Sequence, residues 1–291
     1  MMRLKPFSKN SVKPALPFSL ILITIFIFAC SSEIPPTYKK EEIPNFIKKI
    51  CKEEYSLNVT TRVVGNTLWV YAPITRIIDK DYAVTKDKFF DDDMNDKLRK
   101  IMTSIGRVLI SSDRAPEFYC LIISDIEERG LDYTLIGNVI DIKKSYAGFI
   151  PWAETNRRYV RKLENAPLAL GDTEGKHIKP YDINLPEFIA SQIAQRIEDR
   201  FREDDLKYQH QVNIVEARFT PTTLVINADI KKQDMRIITS QNDYLTKEVL
   251  KIIASVTRAY DFSNFSSVEI NDSQNGKSTI INRTTVEAIK E

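Results

Sequence analysis

Reactive side chains are sparse in this chain of 291 residues, which holds 2 histidines and 3 cysteines. His177 lies in a stretch rich in glycine and proline, and His210 follows the charged run Arg202-Glu203-Asp204-Asp205. Neither has a cysteine, aspartate or histidine at i+4, the spacing that presents two metal ligands on one helix face. Both are expected to be solvated surface histidines. Asp91-Asp92-Asp93 offers the several oxygens that a hard cation takes, but lacks the alternating spacing and glycine of a calcium loop. A helix start accounts for it. Asp125, Glu127 and Glu128 could form an acid pair of the glycosidase type, yet they fall at a hairpin, where carboxylates are usually solvated. No G-x-S-x-G elbow, H-E-x-x-H pair or P-loop occurs. Neither a metal nor a cofactor is expected.

Cys51 and Cys120 leave two readings open. Cys51 shares helical spacing with Phe46, Ile47 and Ile50, and Cys120 alternates within the strand-like run Phe118 to Ile123. They read as two small buried hydrophobes. The other reading is a disulfide pinning the first helix to that strand.

The densest recognition chemistry lies near the middle of the chain. Tyr146, Phe149, Trp152, Tyr159 and Leu163 are interleaved with Arg157, Arg158, Arg161 and Lys162. Aromatic side chains and arginine are enriched at interface anchors, and the mixture also suits anionic headgroups. Trp152, Arg157, Arg158, Tyr159 and Arg161 form the candidate partner-binding set. The competing reading is that the aromatics cover the protein's own exposed edges.

The elements that must position these groups follow from periodicity. A helix opens at Ile43-Pro44-Asn45-Phe46-Ile47, and another at Leu185-Pro186-Glu187-Phe188-Ile189. Each is followed by a hairpin, turned at Gly65-Asn66 in the first case and near Pro221 in the second. The run Thr67-Leu68-Trp69-Val70-Tyr71-Ala72-Pro73-Ile74 matches Thr223-Leu224-Val225-Ile226-Asn227-Ala228-Asp229-Ile230 in register. A second helix comes next in both halves, carried by Leu98, Ile101, Met102, Ile105, Val108 and Leu109, and by Val249, Ile252, Ile253, Val256 and Tyr260. Ser240 with Asp243 approximates a capping box. A closing hairpin turns at Glu128-Arg129-Gly130 and at Asn275-Gly276.

The expected fold is therefore α+β: two tandem two-layer domains, each helix-hairpin-helix-hairpin (αββαββ) with a four-stranded antiparallel sheet. The expected organisation is a signal peptide over 1–29, a tether over 30–42, a first repeat over 43–142, a connector over 143–184 and a second repeat over 185–291.

The first thirty residues supply an address. Arg3, Lys5, Lys9 and Lys13 precede the apolar run Leu20 to Ala29, which stops at Cys30. That order reads as an export signal, and the run is about half the roughly 20 residues of a membrane-spanning helix. Ile27-Phe28-Ala29-Cys30 resembles the lipobox of bacterial lipoproteins, with Phe28 where that pattern usually has a small or β-branched residue. The resemblance implies cleavage before Cys30 and acylation of its thiol by fatty chains such as palmitate. Ser31 stands where aspartate resembles an inner-membrane retention signal. The expected location is thus the cell envelope, and the outer membrane facing the periplasm in a Gram-negative cell.

Charge and composition narrow the function. The chain carries 42 Lys+Arg against 40 Asp+Glu; without the four basic residues of the signal the balance is 38 to 40, a net −2. A body close to neutrality argues against nucleic acid as partner. Only 8 glycines disfavour phosphate-cradling loops. A hydrophobic content of 43% is ample for a packed core. The expected role is that of a lipid-anchored envelope protein with a noncatalytic binding or assembly function, held to the membrane through Cys30 and meeting an envelope protein partner. The alternatives are a periplasmic hydrolase of cell-wall material and a small-ligand carrier.

Overall fold

The computed structural model describes residues 38–82, 88–203, 210–232, 241–273 and 276–289. The signal, Cys30, residues 31–37, Ser240 and Asn275 lie outside them. Tyr38–Glu291 clusters as one compact unit, so both halves and the segment between them pack together.

The protein is mixed α+β, with two sheets and seven α-helices among the described residues. The first half runs α1 (Ile43–Tyr55), β1 (Thr60–Val64), β2 (Thr67–Ile74), α2 (Asp92–Ile110), β3 (Phe118–Asp125) and β4 (Leu131–Asn138). The middle segment supplies α3 (Val139–Tyr146), α4 (Trp152–Arg157) and β5 (Val160–Asn165). The second half runs α5 (Leu185–Arg202), β6 (His210–Thr220), β7 (Thr223–Lys232), α6 (Gln241–Ala259), β8 (Ser267–Asp272) and β9 (Lys277–Asn282), and closes on α7 (Arg283–Glu287).

Local chemistry accounts for the ends of these helices. Asp91 Oδ1 accepts from the Asp93 amide at 2.9 Å and caps α2, with Asp92 and Asp93 at the positive end of its dipole. Asn184 Oδ1 accepts from the Glu187 amide at 3.0 Å and caps α5.

Strand order is β1-β2-β3-β4-β5 in one sheet and β6-β7-β8-β9 in the other. The expectation of purely antiparallel sheets is corrected. β2 pairs β3 in parallel, from Thr67↔Phe118 to Ile74↔Asp125, and β7 pairs β8 in parallel, from Thr223↔Ser267 to Ala228↔Asp272. The cause is the helix between each pair, which returns the chain to the end where the preceding strand began.

The first sheet is also covered on both faces, not one. Leu68, Val70, Tyr119, Leu121 and Leu135 pack beneath α1 and α2. On the other face Trp69, Tyr71, Phe118, Cys120, Ile122 and Val160 pack with Ile183 and Phe188. Every residue of β3 is consequently buried. Each large apolar side chain there contributes roughly 1.5–3 kcal/mol on burial, so this face requires a cover. The 166–184 loop provides it. Its Asp182 Oδ1 accepts from the Asn66 amide at 2.8 Å and Thr67 Oγ1 at 3.1 Å. Gly65, at φ +59°, admits that approach: a Cβ there would lie 2.1 Å from Asp182 Oδ2.

α5 is a wedge between the sheets. Ile189, Ile193, Ile197 and Phe201 enter the core of the second half, while Phe188 packs against the first sheet. Its polar side chains seal two open strand edges. Gln195 Oε1 accepts from the Arg161 amide of β5 at 2.6 Å, and Glu198 Oε1 from the Val215 amide of β6 at 3.3 Å.

Candidate binding groove

α2 is apolar on more than the face that meets the sheet. Ile101, Ile105, Val108 and Leu109 are fully buried. Leu98 and Met102 are only partly covered, and with Asn95, Arg99 and Gly106 they form a second stripe at helical spacing. That stripe is one wall of an open groove of about 260 Å³. Tyr133 and Leu135 of β4 belong to its lining, as do Ile142 and Tyr146 of α3, Trp152 of α4, and Tyr159 with Arg161. Gly106 allows the α3 side to close in, since a Cβ there would sit 3.2 Å from Tyr146 Oη.

Two arginines, Arg99 and Arg161, are the charged groups of the groove. Arg161 Nη2 donates to the Asn156 carbonyl at 2.6 Å, and its guanidinium lies 5.6 Å from the centre of the Tyr159 ring. Among the described residues it forms no ion pair. Burial raises the phenols of Tyr133 and Tyr159, outweighing the nearby Arg161 charge that favours their ionised form. Both therefore remain neutral at physiological pH. Arg99 spends its charge on Asp96 at 2.7 Å with its side chain 77% exposed. No carboxylate, histidine, lysine or cysteine is among the lining residues. The groove therefore presents an apolar lining with one inward cation and the neutral phenols of Tyr133 and Tyr159.

The five residues singled out from the sequence separate into three positions. Trp152, 64% exposed, joins the buried Tyr159 and the half-buried Arg161 in the groove. Arg157 is exposed and is not part of the lining. Arg158 is instead turned into the protein as a structural hub. Its side chain is 10% exposed, and Nη1 meets Asp141 Oδ1 at 2.8 Å while Nε meets Glu154 Oε1 at 2.9 Å. Gln192 Nε2 donates to the Arg158 carbonyl and, at 2.9 Å, to Tyr260 Oη. Hydrogen-bonded carboxylates outweigh burial and hold the guanidinium charged.

His177 is corrected from a solvated to a buried position. Its side chain is 7% exposed between two carboxylates, with Nδ1 2.6 Å from Asp172 Oδ2 and Nε2 3.1 Å from Asp132 Oδ2. Ser124 Oγ donates to Asp132 Oδ1 at 2.5 Å. The hydroxyl thus meets a carboxylate and not the imidazole, and Ser124 is fully buried. That arrangement is a clamp holding the covering loop, without the hydroxyl-to-base contact of an activated nucleophile. Burial pushes Asp172 upward, but hydrogen bonds from the His177 ring and from the amides of His177, Glu174 and Gly175 dominate. The carboxyl ends well below its usual range. Asp125 is also buried rather than solvated, with Oδ1 accepting the Glu128 amide at 2.8 Å to close the β3–β4 turn.

The disulfide reading gives way to two free buried thiols. Cys51 belongs to the core under the helices and Cys120 to the core on the opposite face of the sheet, so their Cβ vectors cannot meet. His210 opens β6, and its side chain lies outside the described residues.

No family model, curated protein or solved structure matches this chain.

Several of these positions were silent in the sequence. Tyr133, Leu135 and Gly106 carry no motif and meet only through the parallel crossover. The clamp had one local sign: Asp172-Thr173-Glu174-Gly175 is the pattern of an Asx turn.

Proposed function

We propose that this protein is a lipid-anchored envelope lipoprotein with a noncatalytic binding role, exercised through the groove between α2, α3 and α4. Attachment would run through acylated Cys30, and in a Gram-negative cell the body would face the periplasm from the outer membrane. The two halves are read as copies of one αββαββ unit, a reading supported by their shared element order, strand order and parallel pairing. The first copy gained a function-bearing edge in α3, α4 and β5.

The observation that carries the binding role is Arg161: a cation that forms no ion pair among the described residues, its charge otherwise felt by Asp199, set among Tyr159, Tyr133 and Trp152. An apolar segment of an envelope partner, with a carboxylate beside it, meets both features. The small-ligand carrier is the second reading, favoured by the apolar lining of the groove.

A photo-crosslinking residue at Thr103, on the α2 wall, tests this in cells. The proposal expects a protein adduct; a lipid or metabolite adduct favours the carrier. Either should vanish with Met102→Trp, which fills the groove. An adduct undiminished by that plug, or turnover of a cell-wall substrate by the pure protein, contradicts the proposal.

A further inference from the structure

The α3–α4 corner carries an unusual combination of groups. Tyr146 is 63% exposed, Phe149 79% and Trp152 64%, three aromatic side chains within seven residues. No acidic residue occurs from Ile142 to Ala153, whereas Lys143 and Lys144 do. The flanking acids are already engaged. Asp141 is buried on Arg158, and Glu154 is shared between Arg158 and Arg196. The outward face is therefore aromatic and cationic, with Arg157 extending it.

The chain enters at the C-terminal end of α2, on the side that meets α1. Tyr38 donates its amide to the Ser111 carbonyl at 3.1 Å, and its own carbonyl accepts from Asp113 at 3.3 Å. Gly106, against which Tyr146 packs, precedes Ser111 by five residues, about 7.5 Å along the helix axis. Seven residues separate Cys30 from Tyr38, a span of at most about 28 Å. A body held that closely cannot stand far from the bilayer.

We infer that Tyr146, Phe149, Trp152, Lys143 and Lys144 form a membrane-lying face that rests on the anionic leaflet carrying the anchor. Aromatic rings of this kind settle at headgroup level, and lysines there gain from the negative surface potential. The tether argument rests on the lipoprotein reading, but the face can be tested without acylation.

A chain beginning at Ser31 keeps the whole compact unit and lacks the acyl group. Of its two tryptophans, Trp69 is buried with Nε1 bonded to the Tyr181 carbonyl at 2.9 Å, so a change in emission reports Trp152. Phosphatidylglycerol vesicles should shift that emission to the blue, and brominated acyl chains should quench it. Phe149→Ser should weaken partitioning roughly tenfold, the scale for losing one buried phenyl, and Lys143→Ser roughly fivefold on anionic vesicles only. Unshifted, unquenched emission at saturating lipid overturns the inference, as does partitioning indifferent to Phe149→Ser. Failure of acyl labelling at Cys30 would count against the anchor alone.

Discussion

Tyr260 Oη donates to Asp141 Oδ2 at 2.5 Å, joining residues 119 apart in the chain. Tyr260 directly follows α6 in the second half and Asp141 lies in α3, so the bond ties the second core to the edge of the first. Burial and the Asp141 charge both raise the Tyr260 phenol, which keeps its proton for this bond. Arg158 completes the junction, 5.7 Å from the Tyr260 ring centre.

Removing one partner of a buried pair leaves the other uncompensated, at a cost of about 3–5 kcal/mol. Arg158→Ala should therefore lower unfolding stability by about 3 kcal/mol or more, measured by denaturant titration. Trp152→Ala, at an exposed site, should change it by less than about 1 kcal/mol. Equal effects would mean that Arg158 is not the hub.

Acid should loosen the covering loop through Asp172. A carboxyl whose folded value lies below its ordinary one contributes stability fully above about pH 4, and loses it as pH falls through the folded value. Asp172→Asn should cost about 1–3 kcal/mol at pH 7, the range for donors deprived of a charged acceptor. The variant should also lose less than the wild type between pH 5 and pH 2.5. Parallel acid profiles would remove Asp172 from the clamp.

The thiols give a third check. Burial pushes both Cys51 and Cys120 upward, so native protein should resist alkylation and both should react on unfolding. A mass two hydrogen atoms short, from oxidation to a disulfide, would contradict the placement of Cys120 on the far face.

Glycine 137 predicts a packing cost. A Cβ there would fall 2.3 Å from Tyr119 Oη, and Tyr119 is fully buried. Gly137→Ala should destabilise by about 1–3 kcal/mol as overpacking, and Tyr119→Phe should not restore it, since phenylalanine keeps the ring carbons Cζ and Cε1 that the Cβ would meet. A neutral Gly137→Ala would show that the ring is free to move.

Periodicity alone located α1, α2, α5 and most strands, because each buries a regular apolar face. The hairpins were legible from Gly65, Gly130 and Gly276, all at positive φ. The parallel β2–β3 pairing was not, since direction depends on how a crossover helix returns and leaves no mark in the strands. Arg158 and Arg161 look alike in sequence, three residues apart. Only the fold turns one toward Asp141 and the other into the groove. His177 had no ligand at helical spacing because its partners are Asp172 on the same loop and Asp132 on β4.

The most direct test of the binding role compares two arginines by crosslink yield at Thr103. Arg161 is the inward cation, and Arg99 is paired with Asp96 in solvent. Loss of a hydrogen bond to a charged group costs about 1.5–3 kcal/mol. Arg161→Met should therefore cut the yield by about tenfold or more at unchanged expression and melting temperature, and Arg99→Met by less than about twofold. Equal yields from the two variants would contradict the groove as the binding site.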